Sequence, residues 1–470
     1  LAENGGIADD RYVTNPEAMA EGKKTYRPED MPTNLQDVWN ENILHSIFLA
    51  QDFKLGYYKV RADSLPDTII IHRDFVPVSK VFHTMETNFK SRRFIDYDDT
   101  KNYYKNNYLP YDSIDLTRYV KVRNTVGLTL VEGVNRWIPF GASAYLTHEY
   151  RQFELPDSVG GIGRDHMHTY NENNLFIGGN LRRTMGRAFL FDVTAETVLA
   201  GTDLGTFRID GNAGLKFKVG KDSVRFRVEG YVKNVSPSFY YRHYHSQHYW
   251  WDNEMHEEFR VRLGGSIAID HWRTRLYAGV ENIKNYTYLV GTPYLYPADV
   301  NSTVPRSLSN ITARQYNKNL QVLSSTLHQD FKVGVLHWDN EATVQYSSNQ
   351  DVLPLPLVNL YSNVYLKFTY AKVLRIQLGG DVRWFSRYHA PDYAPALEQY
   401  FVQEGAHRVE LGGYPFINAY INFHLKQVRF YVMYHHVTQN SLKQTNSFLA
   451  PHYPINPRML KLGFSWNLWD

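Results

Sequence analysis

Residues 458–470 read "RMLKLGFSWNLWD". One parity carries Leu460, Leu462, Phe464, Trp466 and Leu468, and the other carries Lys461, Gly463, Ser465 and Asn467. Alternation at period two marks a strand with one apolar and one polar face. In a soluble sheet the apolar face covers a core; in a membrane barrel it meets lipid. The remaining strands and their connections decide between the two.

The same division recurs upstream. In "DSVRFRVEGYVKN" (222–234), Val224, Phe226, Val228, Gly230 and Val232 oppose Arg225, Arg227, Glu229, Tyr231 and Lys233. In "GTFRIDGNAGLKFKV" (205–219), Phe207, Ile209, Ala213, Leu215 and Phe217 oppose Arg208, Asp210, Asn212, Lys216 and Lys218. "EFRVRLGGSIAID" (258–270) sets Glu258, Arg260 and Arg262 against Phe259, Val261, Leu263, Ile267 and Ile269. "VLRIQLGGDVRWFSR" (373–387) sets Arg375, Gln377, Asp381, Arg383 and Arg387 against Leu374, Ile376, Leu378, Val382 and Trp384. A soluble sandwich would need two sheets around one core, with the charged faces in bulk water. A barrel turns the apolar faces to lipid and the charged faces to a lumen.

The connections favour the barrel. Short turns are expected near Lys426-Gln427, Ala371-Lys372, Val333-Gly334, Asp270-His271, Gly220-Lys221, Met185-Gly186 and Asn135-Arg136. Between them lie mostly long segments rich in Pro, Tyr, Asn and Asp, such as "RYHAPDYAPALEQYF" and "GTPYLYPADVNSTVP". Outer-membrane barrels alternate short periplasmic turns with longer external loops, which makes this C-terminus periplasmic and the long loops external. About seventeen strands are countable. Even counts are the rule for single-chain bacterial barrels, so eighteen or more are expected, with the missing strand at the N-terminus. The expected fold is therefore all-β, a transmembrane antiparallel barrel over residues 43–470. Residues 1–42 are expected to be an N-terminal segment, an external loop continuing from a missing strand.

Composition is consistent with one large unit. The 470 residues show no linker-like shift, aromatics make up 15% with 36 Tyr, and mean hydropathy is −0.46. No run of about 18 apolar residues exists, which excludes a helical span; a barrel strand shows lipid only every second residue and escapes that measure. A net charge of +3 is too small to argue for nucleic acid. With no Cys there are neither disulfides nor thiolate sites. Leu1 is neither a start Met nor the opening of a signal peptide.

Three stretches carry a family resemblance: "ENGGIADDRYVTNPEAMAEG", "LVEGVNRWIPFGASAYLTHEYRQFELPD", and "GGYPFINAYINFHLKQVRFYVMYHH" followed by "APHYPINPRMLKLGFSWNLWD". The chain resembles, over essentially all its length, the "putative porin" family of bacterial outer-membrane β-barrels. Members carry a substantial region before the position matching "ENGGIADDRY", so the resemblance implies that an N-terminal part is absent here. It brings no catalytic residues.

Two clusters of polar side chains suggest metal sites, and each has a plainer reading. His243, His245 and His248 in "SFYYRHYHSQHYWW" could converge on Zn²⁺ or Cu²⁺. No carboxylate or further His at a diagnostic spacing completes that set, so an aromatic girdle at a loop stem is preferred. Asp96, Asp98, Asp99 and Asn102 could hold Ca²⁺ or bridge lipopolysaccharide phosphates, yet the segment lacks the Gly and Glu of an EF-hand loop and reads better as a solvated loop. No G-x-S-x-G or H-E-x-x-H motif occurs, so no enzyme, catalytic residue, metal or cofactor is expected.

The informative set is the charged face. Expected pore-lining residues are Arg208, Lys216, Lys218, Arg225, Arg227, Glu229, Lys233, Glu258, Arg260, Arg262, Arg375, Asp381, Arg383 and Arg387. Basic side chains predominate, which favours anions in a water-filled lumen; a lattice of interior salt bridges is the plainer account of the same residues. The expected function is a porin-like channel for passive diffusion of small solutes, with a preference for anions. The alternative is a plugged structural barrel, a subunit of a larger outer-membrane complex. The expected partners are the bilayer and lipopolysaccharide, with surface lipoproteins or another barrel under the alternative, and no nucleic acid.

Overall fold

A computed structural model describes residues 3–7, 33–65, 68–97, 103–110, 113–133, 139–157, 166–186, 189–220, 222–295, 307–406, 408–439 and 448–468. Seventeen strands build one wall. The first eight are β1 (Val38–Leu65), β2 (Thr68–Asp96), β3 (Ile114–Leu130), β4 (Gly141–Pro156), β5 (Met167–Arg183), β6 (Phe189–Gly201), β7 (Phe207–Val219) and β8 (Asp222–Val235). Then come β9 (Glu258–Ile269), β10 (Thr274–Thr292), β11 (Asn310–Val333), β12 (Leu336–Ser347), β13 (Val358–Tyr370), β14 (Leu374–Phe385), β15 (Phe416–Leu425), β16 (Val428–His435) and β17 (Met459–Trp466).

Each strand pairs antiparallel with its neighbour in the chain, from β1 through to β17. The sheet is thus a run of hairpins, the topology expected of an up-and-down barrel. Its outer strands are β1 and β17, and no pairing joins those two among the described residues. All the expected short turns that fall on described residues connect consecutive strands, and because strand direction alternates they lie at one end of the wall. The turn at Asn135-Arg136 falls outside the described residues. Tight reversals demand left-handed backbone, supplied by Gly220 and Gly334 at φ 62° and 58°, and by Ala371 and Lys372 at φ 48° and 61°.

The wall is curved. Arg123 on β3 forms ion pairs with Glu149 on β4 at 2.9 Å and with Glu196 on β6 at 3.0 Å. Strands lie about 4.8 Å apart, so β3 and β6 are separated by about 14 Å along a flat sheet. Two side chains span that gap only as a chord across a concave face. The charged parity therefore lines the inside of the curve, and the apolar parity covers the outside.

That outer face is exposed. Leu263, Leu323, Leu462, Phe464 and Trp466 each leave roughly half or more of their surface uncovered, and 69% in the case of Leu462. Apolar surface continuous over so many strands has no soluble counterpart and needs a hydrocarbon solvent. Residues 459–468 thus show their apolar parity to lipid. On the inner face of β17, Gly463 pairs with Tyr431, whose ring occupies the place of the absent side chain: a Cβ there would stand 1.9 Å from it.

These faces predict an asymmetry between neighbouring substitutions. Val228 lies near the middle of β8 on the outer face, so Val228→Arg should cost about 2–4 kcal/mol in a refolding titration, whereas Arg227→Val on the inner face should cost much less. Equal losses would contradict the assigned parity.

Candidate functional site

Hydrophobic packing is concentrated at the loop end. A buried cluster draws Leu35 from ahead of β1, Phe94 from β2, Tyr103 and Tyr104 from the loop after β2, and Tyr244, Tyr249 and Trp251 from the loop after β8. It also takes Leu289 of β10, Ile311 and Ala313 of β11, and Ala394, Ala396, Leu397 and Phe401 from the loop after β14. β2 and β10 are the second and tenth of seventeen strands, roughly half a circumference apart. Loops rooted on opposite walls therefore share one core, and together they roof the mouth.

Backbone contacts hold the roof as firmly as the rings do. Tyr104 bridges to Ser309, and the Lys105 amide donates to the Ser309 carbonyl at 3.0 Å. A short strand, Gln399–Gln403, pairs parallel with Val290 and Gly291 of β10. Gly291 is required there, because a Cβ would lie 2.1 Å from the Asn310 carbonyl oxygen. Tyr104 stacks on His248 at 3.8 Å between ring centres and Tyr244 on Trp251 at 5.0 Å. The Arg92 guanidinium of β2 ties three segments together: it reaches Glu398 at 3.2 Å, the Tyr244 hydroxyl at 3.2 Å and the Ala396 carbonyl. Burial pushes the Tyr244 hydroxyl up to about 12, so it stays a neutral donor or acceptor at physiological pH.

The histidine-rich stretch belongs to this roof. Residues 243–245 and 250–252 form a small hairpin that brings in a carboxylate the linear spacing did not reveal. His243 Nδ1 lies 2.8 Å from Asp252 Oδ1, and His245 Nε2 lies 3.0 Å from both Asp252 oxygens. The other His245 nitrogen donates to the Pro156 carbonyl at 2.8 Å. Burial opposes ionisation of Asp252, yet the hydrogen bonds from His243 and His245 outweigh it and hold its carboxyl below the ordinary range. His248 is separate, 3.3 Å from Asp96. Among the described residues no group of three or more such side chains is arranged to hold a metal ion. Asp98, Asp99 and Asn102 lie outside the described residues.

Below the roof, the expected pore-lining residues share the charged parity of the wall strands, except Arg387, which follows β14 in the loop beside Gly413. Arg208, Lys233 and Arg260 face one another across β7, β8 and β9, and Lys216 faces Arg225. Several are paired: Arg208 with Asp210, Arg225 with Asp270, and Arg260 with Glu281 at 2.6 Å and with Glu258 at 3.8 Å. Arg262 hydrogen-bonds the Tyr277 hydroxyl at 2.8 Å, Lys233 sits 4.5 Å over the Tyr231 ring, and Arg383 lies 5.5 Å over Tyr361. Asp381 accepts from Asn418 at 3.0 Å, and Glu229 pairs with Gly264. Lys216, Lys218, Arg227, Arg375 and Arg387 make no ion pair among the described residues. At the short-turn end Arg375 joins Lys367, His424 and Arg429 around a recess of about 400 Å³ with no carboxylate in its lining.

A second charged network escaped the sequence reading. Arg151 of β4 meets Glu172 of β5 at 3.1 Å and Asp203 of the β6–β7 connection, and Glu172 also binds Arg242 at 2.6 Å. Arg242 ends a single helical turn, Phe239–Arg242, that the loop after β8 lays against the inner wall. Period two was legible there as well, since Glu149, Arg151 and Phe153 share a parity in "HEYRQFELP". Between this turn, the roof and the walls from β1 to β4 lies a chamber of about 820 Å³.

The loop after β16 contributes a titratable latch. His436 Nδ1 donates to the Asn456 carbonyl at 3.0 Å, so Nε2 is left to accept from the Tyr414 hydroxyl at 2.9 Å. Burial lowers the pKa of this imidazole. A His whose folded pKa lies below its unfolded value contributes stability that is complete above the unfolded value, near 6.5, and is lost as pH falls towards the folded one. Limited proteolysis of the 436–458 loop should therefore quicken between pH 7.5 and pH 5, and His436→Gln should flatten that response. An unchanged response in the variant would place the pH sensitivity elsewhere.

Comparison of folds places solved outer-membrane receptors and transporters beside this barrel. The ferric enterobactin receptor PfeA in complex with BCV-L6 superimposes with a TM-score of 0.51 at 12% identity, covering 83% of this chain and 62% of its own. The siderophore receptor PirA from Acinetobacter baumannii gives 0.51 at 12%, covering 91% and 71%. The copper transporter OprC gives 0.56 at 8%, covering 92% and 66%. At such identities the likeness is one of fold. No curated protein matches the sequence. A family model described as "Putative porin" matches residues 1–470, and the chain belongs to that family.

Proposed function

We propose that this outer-membrane barrel is a transport protein, not an enzyme, whose solute pathway is closed at rest by the loop roof and lined below it by the charged face. The aromatic core shared between β2 and β10 carries this reading, because loops joined across the diameter leave no wide opening between them. A wall of seventeen strands is in the size class that otherwise encloses an aqueous lumen. Passive diffusion then requires the roof to part. The short turns face the periplasm, as does the C-terminus, and the roof faces outward. The unpaired Lys216, Lys218 and Arg227, with the carboxylate-free recess around Arg375 and Arg429, favour anions once the path is open.

The roof equally suits a second reading. A barrel sealed by its own loops can serve as a structural subunit, offering that aromatic surface to surface lipoproteins or another barrel. Planar-bilayer recording separates the two. The wild type should show low, intermittent conductance, and Tyr249→Ser with Phe401→Ser, which removes two large rings from the roof, should raise it severalfold. Silence in both proteins, with the variant shown folded by its heat-modifiable mobility, would favour the subunit. A steady wide conductance in the wild type would contradict the roof as a barrier. Orientation has its own check: with Cys placed at Gln427 or at Pro391, a membrane-impermeant reagent on intact cells should label only Pro391→Cys.

A further inference from the structure

The chamber beneath the roof has a chemistry of its own. Its lining includes the rings of Tyr119, Phe153, Phe239, Tyr240, Tyr241 and Trp251, contributed by two wall strands, the helical turn and the small hairpin. Phe153 and Phe239 stack with centres 3.9 Å apart. The hydroxyls of Tyr119, Tyr240 and Tyr241 make no hydrogen bond among the described residues, and none is sealed from solvent. The cations beside them are largely spoken for. Arg92 is held by Glu398, Tyr244 and the Ala396 carbonyl, and Arg151 by Glu172 and Asp203. Lys90 is the one lining cation without an ion pair among the described residues.

Flat apolar faces interleaved with free hydroxyls and neutralised charges suit one class of ligand. A strong anion would find the arginines already satisfied. A simple aromatic solute would stack on the rings and strand the hydroxyls, which costs affinity when water is displaced from them. A pyranose ring offers C–H faces for the aromatic rings and equatorial hydroxyls for the free hydroxyls of Tyr119 and Tyr240. At about 820 Å³ the space lies within the range of small-molecule sites and exceeds one sugar unit. We propose that this chamber binds uncharged saccharides, with the half-buried rings of Tyr119 and Tyr240 as the stacking surface and their hydroxyls as hydrogen-bonding partners. It rests on the transport reading and names a solute class for the chamber alone, where the arginines are satisfied, and not for the basic wall of β7 and β8.

The test is calorimetric titration of the purified full chain in a polyoxyethylene detergent, which has no sugar headgroup to compete. The probes are maltotriose, cellotriose and 4-hydroxybenzoate. At least one trisaccharide should bind saturably at one site, and Tyr119→Phe with Tyr240→Phe should weaken it about tenfold while leaving the rings in place. Binding of 4-hydroxybenzoate with no trisaccharide bound would overturn the ligand class. Trisaccharide binding that ignores the hydroxyl deletions would overturn the site, and no binding of any probe would overturn both. Because binding is read in micelles, its outcome is independent of conductance: a barrel that conducts without binding sugar refutes only this inference.

Discussion

Everything in this molecule depends on the rule that a chain crossing lipid must pair every backbone polar group and show hydrocarbon on its outer surface. A β-wall meets the first demand with its ladders. It meets the second by giving up half its side chains to lipid, which leaves only the other parity for function. Arg208, Lys233 and Arg260 stand in a row because their odd-and-even neighbours, Ile209, Val232 and Val261, are committed outward. The concave face then resolves its charge locally, through pairs such as Arg260 with Glu281 and chords such as Arg123 with Glu196.

The same rule explains where the hydrophobic core went. In a soluble domain, apolar strand faces pack on one another; here they pack on lipid, so the wall has little interior of its own. Dense burial appears only where loops leave the membrane and can exclude water from each other. Phe94, Tyr249 and Phe401 are almost fully buried although they come from three distant parts of the chain. Most loops of a barrel would be free to move. Those after β2, β8, β10 and β14 share rings, backbone bridges and Arg92, and that coupling makes the roof one packed body.

Period two made the wall legible from residues alone. The parity of 222–234, 258–270 and 458–470, the turns at Gly220, Asp270, Ala371 and Lys426, and the count of seventeen strands all follow from local chemistry. The roof was not legible, because its contacts join residues far apart in sequence with no repeating spacing. The Tyr- and Pro-rich loops read as external surface, and nothing local indicates that Tyr104 bridges to Ser309 or that Leu397 and Phe94 join one core. Asp252 shows the limit on a small scale: it meets His243 and His245 only because a hairpin folds back over nine residues. Arg151 and Glu172 obey the same alternation as the strands from β7 onward, and only the fold shows that they meet Asp203 and Arg242.

The closest test of the account is whether the loops meet across the mouth in the membrane. Tyr104 and Ser309 are partners in a parallel bridge, where backbones run about 4.8 Å apart, within the span a disulfide accepts. These 470 residues hold no cysteine, so Tyr104→Cys with Ser309→Cys introduces the only two thiols among them. Mild oxidation of outer membranes should close that bond within each chain, giving a faster-migrating species that reductant abolishes and neither single variant shows. Thiols that remain free and fully alkylated, in a protein that is otherwise folded, would mean that the loops stand apart and the mouth has no roof.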